Sequence, residues 1–308
     1  MIMRPSPSGD ASVRLTREVR DAVARAHPIV VLESSVLAQG LPEPVNRDAA
    51  ERMSTAVVGA GAVPAIAAVV DGEPTLGLTA AELERFLRRD GVQKVSARDL
   101  AVTIAGKRTG ATTVAATLAL MTRVGLKVFA TGGIGGVHRD SAYDESADLV
   151  ELARSPTVVV CAGAKSILDL PATLERLETL GVTVVGFRTT EFPAFFSASS
   201  GLAVHAVESA EEIVDIERAQ RRLGRREALL VVQPPPAEHA LLAAEVESAV
   251  AQALSDARVA GVHGAAVTPF LLAAVERQTS GRTLIANVAL LEANARLAAE
   301  IAVAMRPV

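Results

Sequence analysis

The feature that most constrains the fold of this chain is a repeated alternation of short apolar runs with longer segments of helical spacing. The runs are too short for helices and rich in strand-forming residues, so they predict buried strands at 28–32, 63–70, 128–130, 157–161, 182–187 and 229–232. Helical spacing predicts helices at 15–26, 46–58, 79–89, 114–124, 171–180, 237–259, 269–278 and 286–304. Strands separated by helices predict an α/β fold, with a mainly parallel central sheet and helices on both faces in three layers (α/β/α).

Two connecting segments carry their own signals. The start of the helix at 79–89 has the sequence Thr79-Ala80-Ala81-Glu82, which is typical of a capping box. The stretch from Lys107 to Thr113 is polar and is predicted to be a turn. Residues 1–12 are predicted to form a flexible tail, and 13–308 a single α/β catalytic domain, because no linker divides the chain of 308 residues.

Composition excludes several classes of protein. A net charge of −4, with only 3% aromatic residues and no Trp, argues against nucleic acid as a partner. No apolar run approaches membrane-spanning length, and the first residues lack the apolar core of a signal peptide, so no membrane association is expected. The single cysteine, Cys161, cannot form an internal disulfide and indicates a cytoplasmic protein.

The stretch from Lys127 to Leu149 contains the densest set of functional residue types. Its apolar run is followed by Thr131-Gly132-Gly133-Ile134-Gly135-Gly136, in which the glycines are expected to take positive φ and present backbone N–H groups to an anion. His138 and Arg139 follow, and then an acidic patch that includes Asp144 and Asp148. Such a combination suits a phosphorylated, hydroxyl-rich ligand. The glycines alone would suggest only a tight turn, since they match neither the dinucleotide fingerprint nor the P-loop.

Three predicted strands end in residues that can do chemistry. Glu33 ends one strand, Thr131 begins the turn after a second, and Lys165 follows a third. Ligands of open α/β sheets bind beyond the carboxyl ends of the strands, so we expect these three residues to share one crevice.

Lys165 is a candidate nucleophile. A helix is predicted to begin at Ser166, and the positive end of its dipole, together with burial, would lower the pKa of the Lys165 amine. A neutral lysine can form a Schiff base with an aldehyde. The alternative is a lysine at the sheet edge that extends its amine into water.

The remaining candidates are acids and one further lysine. Burial at the end of a strand would raise the pKa of Glu33 and suit it to general-acid work, although an ion pair or a helix cap would explain it equally well. Lys94 is either a phosphate ligand or a solvated charge at a strand end. Asp144 and Asp148 offer oxygen ligands for a hard divalent cation.

These residues lie within motifs that resemble the pseudouridine-5′-phosphate glycosidase family, once called the indigoidine synthase A family. The resemblance extends from about Leu15 to Ile301 in one register. The motifs that carry it are VVLESSVLAQGLPEP, VQKVSARDL, GATTVAATLAL, KVFATGGIGGVHR, ESADLVELA, TVVVCAGAKSILDLP, FPAFF, VTPFLL and the segment from Asn287 to Asn294.

The resemblance implies a manganese-dependent enzyme, usually a homotrimer, that reversibly splits pseudouridine 5′-phosphate into uracil and ribose 5-phosphate. It implies that Lys165 forms an imine with the anomeric carbon, that Glu33 transfers protons and that Asp144 is associated with Mn²⁺ or another divalent cation. The substrate-binding positions that it implies or that the turn suggests are Lys94, Thr113, Val114, Thr131, His138, Arg139, Ser146, Ala147, Asp148 and Asn287.

The chain departs from the family's usual pattern at five places. Gln39 replaces a histidine, Gln233 an asparagine, Ala97 an arginine and Ala293 the first Asn of a pair, and 264–267 lacks the usual lysine before TPFLL. Several of these motifs border the expected site of the leaving base. Two interpretations therefore remain open: a pseudouridine-5′-phosphate glycosidase with neutral changes, or a C-glycosynthase that joins ribose 5-phosphate to a non-uracil aromatic natural product.

Two further alternatives use the same residues differently. An aldolase-like phosphosugar lyase would form the same imine on Lys165. A sugar-phosphate sensor would bind the ligand without any chemistry.

Overall fold

A computed structural model describes residues 13–139, 143–262 and 267–306 of the chain. The predicted tail at 1–12 lies outside the described residues. The single-domain prediction for 13–308 stays a prediction; the largest buried cluster draws apolar residues from both halves of the chain, from Val30 to Ala302.

The described residues form a central sheet of eleven strands. These are β1 (Arg14–Leu15), β2 (Ile29–Glu33), β3 (Val63–Val70), β4 (Glu73–Leu76), β5 (Val92–Val95), β6 (Thr109–Thr112), β7 (Val128–Ala130), β9 (Val158–Cys161), β11 (Thr183–Phe187), β12 (His205–Val207) and β13 (Leu229–Val232). A separate antiparallel pair is made by β8 (Val137–His138) and β10 (Leu168–Asp169).

The middle of the sheet is parallel, in the order β3-β2-β7-β9-β13-β11-β12. On one side, β4 and β6 both pair antiparallel with β3, so the sheet is mixed at that edge. Every residue of β2, β7, β9 and β13 is buried. Because successive side chains of a strand point to opposite faces, this burial requires cover on both faces, and the predicted fold class is confirmed.

The helices are α1 (Arg17–Ala24), α2 (Val45–Gly59), α3 (Ala80–Leu87), α4 (Leu100–Ala105), α5 (Val114–Val124), α6 (Ala147–Leu152), α7 (Leu170–Thr179), α8 (Ala210–Arg222), α9 (Ala243–Val259), α10 (Val267–Gln278) and α11 (Arg282–Ala304). Two shorter helical segments are a π-helical turn at Val36–Gly40 and a 3-10 turn at Ala97–Asp99. The long α11 packs against α2 and against strands β2, β7 and β9, while α5 packs against β2 and β3. Among the described residues, no helix combines the length and the apolar character that crossing a bilayer requires.

Local signals predicted some elements well and others poorly. The capping box of α3 is present, with the Thr79 hydroxyl accepting from Glu82 N and the Glu82 carboxylate accepting from Thr79 N. The polar turn predicted from Lys107 to Thr113 is wrong, because Thr109–Thr112 is strand β6, paired with β3 and β5. Its burial comes from partners distant in sequence, which a local polar pattern does not reveal. The helix predicted from 237 begins only at Ala243.

Candidate active site

The carboxyl ends of three parallel strands meet at a small cavity of about 70 Å³. β2, β7 and β9 bring Glu33, Thr131 and Lys165 into its wall, as the strand-end argument predicts. Helices α10 and α11 close the other side. The lining residues are Glu33, Ser35, Val36, Gln39, Gly40, Lys94, Thr131, Gly132, Gly133, Lys165, Phe195, Thr268, Leu272 and Asn287.

Glu33 is the one acid among the described residues that line the cavity, and 6% of its surface is exposed. Both carboxylate oxygens are held, one accepting from the Thr131 hydroxyl and the other from the Ser35 hydroxyl. Burial raises the pKa of Glu33 above its ordinary value, although the Lys165 charge and the two hydroxyl donors oppose this rise. The raised pKa keeps a larger share of Glu33 protonated near neutral pH, as a general acid requires.

Lys165 is positioned by backbone contacts rather than by a helix. Its N–H donates to Ile134 O at 3.1 Å, and its carbonyl accepts from Leu168 N at 3.0 Å. The helix predicted to begin at Ser166 is absent, since β10 follows and α7 begins only at Leu170. The proposal that a helix dipole activates the Lys165 amine therefore has no structural basis.

The glycine-rich turn has a different role from the predicted one. Gly132, Gly133, Gly135 and Gly136 all lie outside the positive-φ region. Glycine is needed because a Cβ on Gly133 would collide with the Phe195 ring, at 2.6 Å from its Cδ2. A Cβ on Gly135 or on Gly136 would strike neighbouring side chains in the same way. These residues let other parts of the chain approach the turn closely.

Three N–H groups in and directly after the turn already donate within the protein. Ile134 N donates to Gly163 O at 3.0 Å, and Gly135 N donates to Asp148 Oδ2 at 2.8 Å. Val137 N donates to the Thr173 hydroxyl at 3.0 Å. These three N–H groups are thus not presented to an anion, and this part of the anion-site prediction is wrong.

Asp148 joins two elements beside the cavity. It is 5% exposed, and its Oδ1 accepts from Ala115 N at 2.9 Å while its Oδ2 accepts from Gly135 N. The carboxylate therefore ties the first turn of α5 to the glycine-rich turn. Because both of its oxygens already accept hydrogen bonds, Asp148 is a poor candidate for a metal ligand in this arrangement. The sequence predicts, in contrast, that Asp148 and Asp144 both offer oxygen ligands to a divalent cation.

The other predicted residues near Asp148 begin helices. Thr113 caps α5 and accepts from Ala116 N at 3.5 Å, and Val114 is the buried first residue of that helix. Ser146 caps α6 and accepts from Asp148 N at 3.2 Å, and Ala147 is its exposed first residue. They stand next to the cavity wall without lining the cavity itself.

His138, Arg139 and Asp144 lie outside the cavity. His138 Nδ1 lies 3.1 Å from Asp144 Oδ1, a close contact that does not have the geometry of a hydrogen bond. The Arg139 guanidinium binds the carbonyls of Leu168 and Ser166 and the carboxylate of Glu247 on α9. This guanidinium is occupied by structural contacts that hold the segment after Lys165.

Lys94 lies in β5 and reaches the cavity from the side. Crowding by surrounding protein atoms, followed by the positive charge of Lys165, lowers the pKa of Lys94, although the residue keeps an exposed surface. Two amines thus face the same small space, which favours a ligand with negative charge.

The acidic residues near the turn give only a partial metal site. Among the described parts of the chain, no group of three or more His, Cys, Asp and Glu side chains is arranged to hold an ion. Asp144 has a half-exposed carboxylate beside His138, which is enough for a cation that takes one carboxylate and completes its shell with water and substrate oxygens.

Several residues that line the cavity were not predicted from the sequence to belong to the site. Ser35 directly follows Ser34 after the strand of Glu33, and its proximity to that acid was the available signal. Phe195, Thr268 and Leu272 lie in the FPAFF and VTPFLL motifs, whose contact with the cavity depends on tertiary packing. Cys161 is buried at the end of β9, where burial raises the pKa of its thiol to about 12 and leaves it unreactive.

Comparison with known proteins identifies the family of the chain. A sequence profile described as "Indigoidine synthase A like protein" matches residues 18–304. A pseudouridine-5′-phosphate glycosidase from Gemmatimonas aurantiaca is 61% identical over 293 residues, covering 95% of this chain and 96% of that protein. A protein of the same name from Herpetosiphon aurantiacus is 49% identical, covering 94% of this chain and 97% of its own length.

Two solved structures share the fold. An indigoidine synthase A-like protein from Thermotoga maritima is 38% identical with a TM-score of 0.87, covering 94% of this chain and 95% of that one. The prealnumycin C-glycosynthase AlnA, solved with ribulose 5-phosphate, is 36% identical with a TM-score of 0.90, covering 96% of this chain and 98% of that one. The chain therefore belongs to the indigoidine synthase A-like family.

Proposed function

We propose that this protein reversibly cleaves the C–C glycosidic bond of pseudouridine 5′-phosphate, giving uracil and ribose 5-phosphate through an imine on Lys165. The observation that carries the proposal is the shared cavity of Glu33 and Lys165, an acid of raised pKa at the end of β2 and an amine just beyond the end of β9, with β7 between them. Support also comes from the relative named pseudouridine-5′-phosphate glycosidase, which is 61% identical.

The first step opens the sugar ring. Protonated Glu33 donates its proton to the ring oxygen O4′ while the lone pair of the Lys165 amine bonds to C1′, and the C1′–O4′ bond breaks. Glu33, now a carboxylate, takes a proton from the new C–N nitrogen. The Ser35 and Thr131 hydroxyls hold the Glu33 carboxylate during both transfers.

The second step breaks the C–C bond. Glu33 gives its proton to C5 of the base, the nitrogen lone pair forms a C=N bond to C1′, and the C1′–C5 electron pair leaves with the base. Water then adds to C1′ and releases ribose 5-phosphate and the free amine. A C–C bond has no leaving oxygen to protonate, so the two-carboxylate chemistry of ordinary glycosidases does not suffice, whereas an imine supplies the electron sink.

The phosphate would be held on the side of Lys94, with His138 as the second predicted contact. Lys94 adds positive charge at the cavity, and His138 is part of the segment that follows the glycine-rich turn. In this proposal, Ser146, Ala147 and Asp148 also bind the substrate. They fix the first turn of α6 against the glycine-rich turn.

We propose Mn²⁺, or another divalent cation, as cofactor, with Asp144 as its protein ligand. The cation would neutralise the charge of the phosphosugar. The fit of Asp144 rests on its exposed carboxylate and not on a multi-residue cluster. Removal of metal by a chelator should lower activity, and Mn²⁺ should restore it, with Asp144→Asn requiring more Mn²⁺ than the unmodified protein.

A second candidate is a C-glycosynthase that uses a non-uracil aromatic acceptor. The likeness of this chain to AlnA favours this candidate. So does Gln39, because among the departures from the family pattern that fall on described residues it is the one that lines the cavity. Gln233 and Ala293 line a different surface cavity, so their changes do not by themselves alter the acceptor site.

We also propose that the protein is a cytoplasmic homotrimer. The resemblance of its motifs to the family supports trimerisation. The unpaired, buried Cys161 and a phosphorylated substrate support a reducing compartment.

The test is a mass-spectrometric assay of the purified protein with Mn²⁺, ribose 5-phosphate and uracil. The expected product is pseudouridine 5′-phosphate, and borohydride should trap ribose 5-phosphate on Lys165. A trapped sugar without this product would favour the C-glycosynthase. Trapping of short aldehydes instead would favour a lyase, and binding of ribose 5-phosphate without any adduct would indicate a sensor.

A further inference from the structure

Two amide side chains of the catalytic cavity have unused hydrogen-bonding capacity. Gln39 Oε1 and Asn287 Oδ1 are both buried, and neither has a hydrogen-bond partner. Both residues line the cavity that contains Glu33 and Lys165. Asn287 is itself only 9% exposed.

A neighbouring amide shows the usual state of such a group. Asn294, two turns along α11 from Asn287, accepts from Gln233 Nε2 at 2.8 Å and donates to Thr131 O at 2.8 Å. Buried amide oxygens nearly always find a donor, because leaving one unpaired costs free energy. Two other buried amide oxygens, Asn46 Oδ1 and Gln220 Oε1, also lack a partner, but neither residue lines this cavity. What distinguishes Gln39 and Asn287 is that both line the one cavity that also contains Glu33 and Lys165, where a ligand can supply the donors.

The same two residues also stand at a junction. A second cavity of about 180 Å³ shares Gln39, Gly40, Leu272 and Asn287 with the catalytic cavity. It continues outward past Leu41, Arg89, Phe196 and Leu284. The inner cavity of about 70 Å³ is small for a sugar phosphate with a ring attached, so the ring belongs toward the junction.

We propose that Gln39 and Asn287 recognise the aromatic partner by accepting hydrogen bonds from its ring N–H groups. The partner is then a ring in which N–H groups stand beside carbonyls, as in a pyrimidinedione, rather than an aromatic acceptor without ring N–H groups. Gln39 is the specificity-determining residue of this pair, and it is the residue at which the chain departs from the family's histidine. This inference rests on the proposed function.

The main experiment measures synthesis from ribose 5-phosphate with uracil, 1-methyluracil, 3-methyluracil and 1,3-dimethyluracil. The unmodified protein should reject the dimethyl ring. In Gln39→Leu, kcat/KM for uracil should fall roughly 10- to 100-fold through loss of one hydrogen bond to the ring. The preference for uracil over one of the monomethyl rings should shrink by a similar factor, because that N–H no longer has an acceptor.

Two further variants separate recognition from packing. Gln252→Leu makes the same change at an exposed position of α9, where Gln252 donates a hydrogen bond to Asp256, and should alter none of these values. Gln39→His restores a nitrogen acceptor and should recover part of the activity with uracil. The yield of the borohydride adduct with ribose 5-phosphate reports the sugar half of the reaction separately.

The outcomes are distinct. An unmodified protein that uses 1,3-dimethyluracil as well as uracil overturns the inference, even where Gln39→Leu fails to fold. The inference is also overturned if Gln39→Leu keeps both the kcat/KM for uracil and the preference among the rings. It is overturned as well if the unmodified protein forms the ribose 5-phosphate adduct but gives product only with acceptors that lack ring N–H groups. Absence of both adduct and product overturns the proposed function, and this inference with it.

Discussion

The two walls of the catalytic cavity differ in how completely their polar groups are satisfied. The sheet wall, made of Glu33, Thr131 and Lys165, lies at the ends of buried parallel strands, and both oxygens of its acid accept hydrogen bonds. The helical wall, made of Gln39, Leu272 and Asn287, contains two amide oxygens without partners. The sheet wall thus holds its acid with internal hydrogen bonds, whereas the helical wall leaves two amide oxygens unpaired.

This difference follows from what each wall is made of. Strands of a parallel sheet are held by ladders on both sides, so side chains at their ends are placed by the backbone itself. The helical wall is placed by packing of the π-helical turn at Val36–Gly40, α10 and α11, which can present polar atoms without pairing them. Changes in the sheet wall should therefore abolish chemistry, whereas changes in the helical wall should alter selectivity.

Lys165→Ala should have the largest effect. Removal of the amine prevents the imine, and kcat should fall at least about 1,000-fold, since loss of a covalent nucleophile commonly costs more than this. The assay is pseudouridine 5′-phosphate turnover, with borohydride trapping of ribose 5-phosphate. Lys127→Ala, at an exposed position before β7, is the matched control and should be neutral. Full turnover by Lys165→Ala would exclude the imine mechanism.

Glu33→Gln should come next, with kcat about 10²- to 10⁴-fold lower, the usual contribution of a general acid. The amide cannot give a proton, but it fills the same volume and keeps an oxygen for the Thr131 or Ser35 hydroxyl. The unmodified protein should lose activity as pH rises through the raised pKa of Glu33, and this limb should vanish in the variant. A variant that retained the limb would assign it to another group.

The same substitution should change stability in a pH-dependent way. The pKa of Glu33 lies above 4.5 in the folded protein because burial disfavours its charge. Below about pH 4.5 the group is protonated in both states, so it costs nothing. As pH rises toward the folded pKa, the unfolded state loses its proton first, and the folded state becomes relatively less stable. The Tm of Glu33→Gln relative to the unmodified protein should therefore increase with pH over this window.

The strand-end argument placed Glu33, Thr131 and Lys165 together from sequence, because apolar periodicity locates strands and parallel topology locates their ends. It failed where tertiary contacts decide. The N–H groups of Ile134 and Gly135 donate to Gly163 and Asp148, and Asn294 reaches Thr131 from far along the chain. No local pattern contains such pairings.

Asp148→Asn tests how firmly the sheet wall is supported. The amide can replace only one of the two carboxylate oxygens, so either Ala115 N or Gly135 N loses its acceptor. The free energy of unfolding should fall by about 1–3 kcal/mol, the cost of a buried unpaired group. Chemical denaturation measures this, and Asp215→Asn on the exposed face of α8 is the control. An unchanged stability would mean that the turn does not depend on this carboxylate.

Gln233→Asn should have the smallest effect, and it bears on whether the departures from the family pattern matter. Gln233 does not line the catalytic cavity; its amide donates to Asn294 Oδ1, and Asn294 in turn donates to Thr131 O. The shorter side chain weakens only the hydrogen bond between residue 233 and Asn294 Oδ1. The free energy of unfolding should therefore change by less than about 1 kcal/mol, the net contribution of one hydrogen bond.

Turnover with uracil should accordingly stay close to that of the unmodified protein, whereas Asn294→Ala, which removes the inner bond to Thr131 O, should cost more. The comparison ranks the two walls directly. Gln39→Leu acts on an amide that faces the ligand, and Gln233→Asn acts on one that faces the protein. If Gln233→Asn raised the KM for uracil more than Gln39→Leu did, the hydrogen bonds behind the sheet wall would control selectivity. The effect of Gln233→Asn would then reach the ligand through a shift of Thr131 and Gly132, whose carbonyls accept from Asn294.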